Sequence, residues 1–233
     1  MENQQQPETF PLQESKTTTG NFDKEKIARF YKQSLPALLK KFFYEPINGT
    51  QTILSEKNES SYFNAIILMA STMILYIILP YVMIGEMREY VGFGKMFKIG
   101  LTILLLMLVI SLIVFGIKSI SGKPIFKNEL LTGAICGIPL SLLLIFIFVL
   151  QLFAKDSLQL DRISSSFEAI SSFQNVGMIA ALVVLYVFLF LINIVQQSLK
   201  SAGTKDAYAW YLSPITILIS FYITTKIAEG LLN

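Results

Sequence analysis

IGLTILLLMLVISLIVFGI, residues 99–117, runs between Lys98 and Lys118 without a single charged side chain. Crossing the hydrocarbon core of a bilayer takes about 20 apolar residues, within a range of roughly 17–25. Four further charge-free runs meet that length: Phe63–Ile84, Leu130–Phe153, Val176–Val195 and Ala209–Thr225. The buried helices of soluble domains are not apolar for so long. The expected fold class is therefore all-α: a polytopic membrane protein with five transmembrane helices, preceded by an amphipathic, interfacial N-terminal helical region.

Composition agrees. Of the 233 residues 53% are hydrophobic and only 15% charged, where soluble domains carry about 25% charge. The expected organisation is a disordered polar tail over 1–22, amphipathic interfacial helices over 23–61, and a five-span membrane domain over 62–233, with spans at about 63–84, 99–117, 130–153, 176–195 and 209–225.

Several chemistries lack their residues. There is no histidine, hence no imidazole base and none of the commonest metal ligand. The one cysteine, Cys136, lies within an apolar run and makes neither an intrachain disulfide nor a zinc site. Ser–Lys chemistry would need a lysine within the membrane core, and the runs contain none. Asp156, Asp161 and Glu168 read as carboxylates of a solvated loop. No catalytic residue, metal ligand or cofactor site is expected, and a net charge of +3 with scattered basic residues gives no reason to expect nucleic acid as a partner.

Ahead of the first span, Ile27, Phe30, Tyr31 and Leu35 recur at helical spacing after Asp23, a residue suited to cap a helix. Pro36 then interrupts and suits the first turn of a new helix. A second stripe follows in Leu38, Leu39, Phe42 and Phe43, with Lys40 and Lys41 between the pairs. A basic, aromatic-rich amphipathic helix lies naturally in a membrane interface and is drawn to anionic lipid. Phe30, Leu35, Leu38, Leu39, Lys40, Lys41, Phe42 and Phe43 are thus expected at the interface. Packing on the membrane domain or on a partner is the alternative. Thr52-Ile53-Leu54 suggests one more short helix, and Leu160, Ile163, Phe167 and Ile170 a second interfacial helix before span four. Trp210 and Tyr211 mark an interface at the start of span five. Lys98 and Lys118 are expected to snorkel to opposite faces.

Within the spans, Gly133 and Gly137 form a Gly-xxx-Gly pair. Small residues let helices approach closely, and packing within the chain is expected ahead of dimerisation. Pro80, Pro139 and Pro214 are read as helix kinks, with the freed carbonyls satisfied by neighbouring hydroxyls, rather than as the broken helices of a transporter site. Asn193, Gln196 and Gln197 are expected at the interface end of span four. No basic n-region or apolar h-region opens the chain, so the N-terminus is expected in the cytoplasm and the C-terminus outside, in a bacterial cytoplasmic membrane. Loop charges add little: Lys and Arg favour the N-terminal side over whole segments and balance when counted near the spans.

Three motifs carry a family resemblance: Lys41-Phe42-Phe43-Tyr44-Glu45-Pro46 ahead of span one, the basic loop Gly122-Lys123-Pro124-Ile125-Phe126-Lys127 leading to Gly133 and Pro139, and Trp210-Tyr211-Leu212-Ser213-Pro214 opening span five. With five spans and a cytoplasmic amphipathic N-terminal region, residues 38–230 resemble the Yip family of membrane proteins, above all its bacterial Yip-domain members. Eukaryotic members act in vesicle traffic, bind Rab-type GTPases and show Asp-Leu-Tyr-Gly-Pro before span one. Here that region reads Glu59-Ser60-Ser61-Tyr62-Phe63, and GTPase binding is not carried over. For the bacterial members the resemblance implies a multi-pass protein without an assigned activity. Charge-free spans together with interfacial helices point to a non-enzymatic scaffold or interaction protein in membrane organisation. A small transporter or a channel accessory subunit is the alternative. Beyond the lipid bilayer, candidate partners are another protein or a second copy of the chain.

Overall fold

A computed structural model describes residues 24–55, 59–85, 92–157 and 166–232. The expected tail over 1–22, together with Leu160, Ile163 and Asp161, lies outside them.

Among the described residues the chain is helical throughout. Helices α1 (Lys24–Arg29), α2 (Leu35–Tyr44) and α3 (Asn48–Ser55) precede five long helices: α4 (Glu59–Met83), α5 (Phe93–Ser121), α6 (Phe126–Ser157), α7 (Ser166–Ser201) and α8 (Asp206–Leu232). Five segments are long and apolar enough to cross a membrane: Ser61–Met83, Phe93–Ile120, Phe126–Leu152, Gly177–Ser201 and Asp206–Gly230. The protein is a multi-pass membrane protein. Large side chains such as Ile78, Leu112, Leu185 and Leu218 face outward, an arrangement suited to lipid tails as apolar as leucine.

The spans outrun their charge-free cores because the helical backbone continues until glycine or proline stops it. Gly85 adopts φ +57 just beyond α4. Gly122 and Pro124 separate α5 from α6. At the end of α7, Gly203 takes φ +82 and donates its N–H to the Lys200 carbonyl at 2.9 Å, the left-handed cap that glycine adopts without a Cβ penalty. Lys200 and Asp206 bridge that turn at 3.1 Å. Gly92 caps the start of α5, and Phe93 and Gly94 are its first two residues.

Two expectations about helix boundaries change. Pro36 lies in the first turn of α2, as expected, but it does not interrupt the chain, because Ser34 and Leu35 ahead of it are already helical. Residues Phe30–Ser34 form a π turn, in which the Leu35 N–H bonds the Phe30 carbonyl, and helical backbone runs through the proline. One wider turn accommodates the missing proline N–H without ending the helix. Phe167 and Ile170 likewise belong to no separate interfacial helix. They fall in the first turns of α7, which continues unbroken for 36 residues. At 1.5 Å per residue that is about 54 Å, well beyond a hydrocarbon core of about 30 Å.

Helix α6 sits between α4 and α7 and also packs on α5, while α8 closes the bundle against α5 and α7. Gly133 and Gly137 face the centre. A methyl on Gly133 would overlap the Met107 carbonyl oxygen and the Ser111 hydroxyl of α5. One on Gly137 would lie 2.6 Å from Thr72 Oγ1 of α4. Both glycines thus lie at close helix approaches within the chain. Gly100 does the same for α5 on α4, where a methyl would fall 2.5 Å from Ile77 Cγ1.

Helices α4, α6 and α8 run on through Pro80, Pro139 and Pro214. Pro214 cannot donate to the Trp210 carbonyl, and the Ser213 hydroxyl donates there instead at 3.3 Å. Because α6 crosses the bundle from end to end, single cysteines at Lys123 and Leu160, in a background with Cys136→Ser, are expected to label from opposite sides of a sealed vesicle. Same-side labelling would overturn the five-span topology.

Candidate functional site

The most polar interior of the bundle lies at the end that holds the α5–α6 and α7–α8 turns. Lys118 is in the last turns of α5 and Glu129 in the first turn of α6. The short connection between these antiparallel helices brings them side by side. Lys118 Nζ donates to Glu129 Oε2 at 2.6 Å and to Ser198 Oγ of α7 at 2.9 Å. Ser198 Oγ lies 2.7 Å from Thr132 Oγ1. Lys118 and Glu129 are each only 6% exposed and Ser198 is fully buried. A lysine near a helix C-terminus and a glutamate at a helix N-terminus also suit the two helix dipoles.

Lysine beside serine invites comparison with a hydrolytic dyad, which needs a neutral amine to take the serine proton. Here the Glu129 carboxylate engages the lysine as an ammonium, and an ammonium has three donors and no acceptor. The cluster is a clamp joining α5, α6 and α7. The expected snorkelling of Lys118 is corrected: its partner is a carboxylate one short turn away, inside the protein. The sequence signal was the pairing of a last-turn lysine with a first-turn glutamate across a short connection.

A second polar chain ties the N-terminal segment to α7. Gln197 Nε2 donates to Asn193 Oδ1 at 3.1 Å, and Asn193 Nδ2 donates to the Pro46 carbonyl at 2.9 Å. The same carbonyl accepts from Thr50 Oγ1 at 2.7 Å. Gln197 is buried rather than interfacial, and its Oε1 finds no donor among the described residues.

Around this anchor, α1–α3 lie across the bundle. The Tyr31 hydroxyl meets the Ser71 hydroxyl of α4. Phe42 packs its ring 5.6 Å from that of Phe190 on α7, and α3 packs on α7 as well. Phe30 and Phe42, expected at the membrane interface, are 1% and 0% exposed and belong to the protein core. Leu35, Leu38 and Leu39 are half-buried against that core. Lys40 points outward, Lys41 is half-buried and Phe43 is half-exposed. Trp210 and Tyr211, in edge-to-face contact at 5.0 Å, lie on the outer surface of α8.

Compared with known proteins, the chain matches no family model, no curated protein and no solved structure.

Below α2, two apolar crevices flank α6. The α4–α6 crevice, of about 320 Å³, is bordered by Leu35 and Leu39 of α2. The α6–α7 crevice, of about 440 Å³, includes Pro139, Tyr186 and Phe190. Phe43, Leu142 and Ile145 line both. A smaller cleft of about 230 Å³ on the other flank of α2 is lined by Ser34, Lys41, Ser61 and Asn64. None of the clamp residues Lys118, Glu129, Thr132 and Ser198 lines these concavities.

Proposed function

We propose that this protein is a non-enzymatic scaffold or interaction protein of Yip-domain type that works in membrane organisation. In this reading its N-terminus faces the cytoplasm and its C-terminus the outside. The observation that carries the proposal is the docking of α1–α3 across α4 and α7, with Lys32 and Lys40 exposed on its outer side. A segment anchored by Phe42 and by the Asn193–Pro46 hydrogen bond presents a fixed basic face at the bundle surface, a suitable platform for recruiting an acidic protein surface. A transporter gains less support. Discontinuous helices around a midplane site are its mark, and α4, α6 and α8 continue through their prolines.

Cross-linking in native membranes with partner identification tests the proposal. The expected result is a reproducible protein partner that is lost on Phe42→Asp, because a carboxylate at a fully buried site undocks α2. Recovery of no reproducible partner, or saturable solute flux through proteoliposomes of the pure protein, would overturn it.

A further inference from the structure

Helix α2 divides two concavities of opposite character. Leu35, Leu39 and Phe43 border the apolar α4–α6 crevice. Ser34, Ala37 and Lys41, also at helical spacing, share the next face and line the cleft of about 230 Å³. Ser61 and Asn64 of α4 and Leu131 of α6 stand across from them.

The two spans fix the depth of this cleft. Ser61 and Asn64 lie in the first two turns of α4, on either side of Phe63, where its charge-free run begins. Leu131 is the second residue of the charge-free run of α6. The apolar crevice lies further in, against Leu68, Thr72 and Leu75. The cleft therefore sits at the boundary between hydrocarbon and headgroups, the layer that holds lipid phosphates.

Its polar lining is one-sided. Lys41 brings an ammonium, Ser34 and Ser61 bring hydroxyls and Asn64 an amide, and none of the described lining residues is acidic. Lys41 has a contact within the chain, but an ammonium carries three donors, and one partner does not exhaust it. Ser34 and Asn64, both half-buried, make no side-chain hydrogen bond to a described residue. Polar groups so placed take a partner from water or from a ligand. Donors converging beside a positive charge favour an anion with several oxygens.

We propose that this cleft binds one phosphate group, carried by an anionic phospholipid head or by a soluble phosphate, through Lys41, Asn64, Ser34 and Ser61. The site needs the docked α2 and stands apart from the scaffold reading.

The test offers the full-length protein, in a phosphate-free maltoside detergent, two probes. Phosphatidylglycerol is counted by native mass spectrometry, and radiolabelled inorganic phosphate by equilibrium dialysis. The expected result is saturable binding of one probe molecule per chain. Binding of phosphatidylglycerol alone identifies a lipid head as the source, and binding of inorganic phosphate a soluble one. Lys41→Gln and Asn64→Leu are each expected to weaken binding at least about tenfold, as loss of a hydrogen bond to a charged group does. Ala37→Trp, at an exposed position on the lining, fills the cleft without altering charge and is expected to abolish binding with an unchanged unfolding transition. Lys40→Gln removes the same charge one residue away, outside the lining, and is expected to leave binding unchanged. The proposal is overturned if neither probe saturates, if Lys40→Gln weakens binding as much as Lys41→Gln, or if the folded cleft variants bind as wild type does.

Discussion

Glu129→Ala is expected to lower the stability of the bundle by about 3–5 kcal/mol, the usual cost of leaving one member of a buried ion pair without its partner. Lys118 would keep the Ser198 hydroxyl at 2.9 Å, but a neutral hydroxyl does not replace a carboxylate at 2.6 Å. Side-chain escape is restricted, because Lys118 is only 6% exposed. The double replacement Lys118→Met, Glu129→Leu tests the physics from the other side. Exchanging a whole buried pair for apolar residues of similar volume is often neutral, or stabilising by about 1–4 kcal/mol. Reversible unfolding in mixed micelles, read as a double-mutant cycle, is expected to show the single variant far less stable than the double. Equal stabilities for wild type, single and double variants would mean that the clamp contributes nothing to holding α5, α6 and α7 together.

Gly133→Ala is the second large effect expected, a loss of about 1–3 kcal/mol from overpacking. Intrinsic propensity argues the opposite way, since alanine in a helix is favoured over glycine by about 1 kcal/mol. Position decides. The new methyl would meet the backbone carbonyl of Met107, which moves only if α5 moves. At Gly137 it would meet Thr72 Oγ1 at 2.6 Å and Met107 Sδ at 3.0 Å, side-chain atoms with more room to adjust, so a smaller loss is expected. At Gly116 nothing lies within 4 Å, and the same substitution is expected to be neutral or mildly stabilising. The order Gly133, Gly137, Gly116 from most to least damaging is checked by unfolding the three variants under one condition. A neutral Gly133→Ala would show that α5 and α6 do not touch there.

The five spans were legible because each residue of a run such as 99–117 reports its own transfer preference, and the sum survives any neighbour. The Gly133–Gly137 face was legible for a related reason: a small residue at every fourth position offers a close approach whatever the partner helix. The N-terminal stripe was less so. Phe30 and Phe42 make an apolar face, but lipid tails and a helix bundle are equally apolar, and amphipathicity does not distinguish them. The same ambiguity hid Lys118, whose stem can reach an interface or a carboxylate, and Gln197, whose amide suits a headgroup region or an interior.

Hydropathy, periodicity and the placement of glycine and proline, all properties of single residues and near neighbours, determined by themselves that this chain is a five-span helical membrane protein with an amphipathic segment before the first span. Tertiary structure alone decided where that segment goes, which carboxylate Lys118 meets, and that two apolar crevices flank α6 beside α2. Those are properties of pairs brought together from distant parts of the chain, such as Phe42 with Phe190 or Lys118 with Ser198. Their energies depend on distance and burial, which no run of residues encodes on its own.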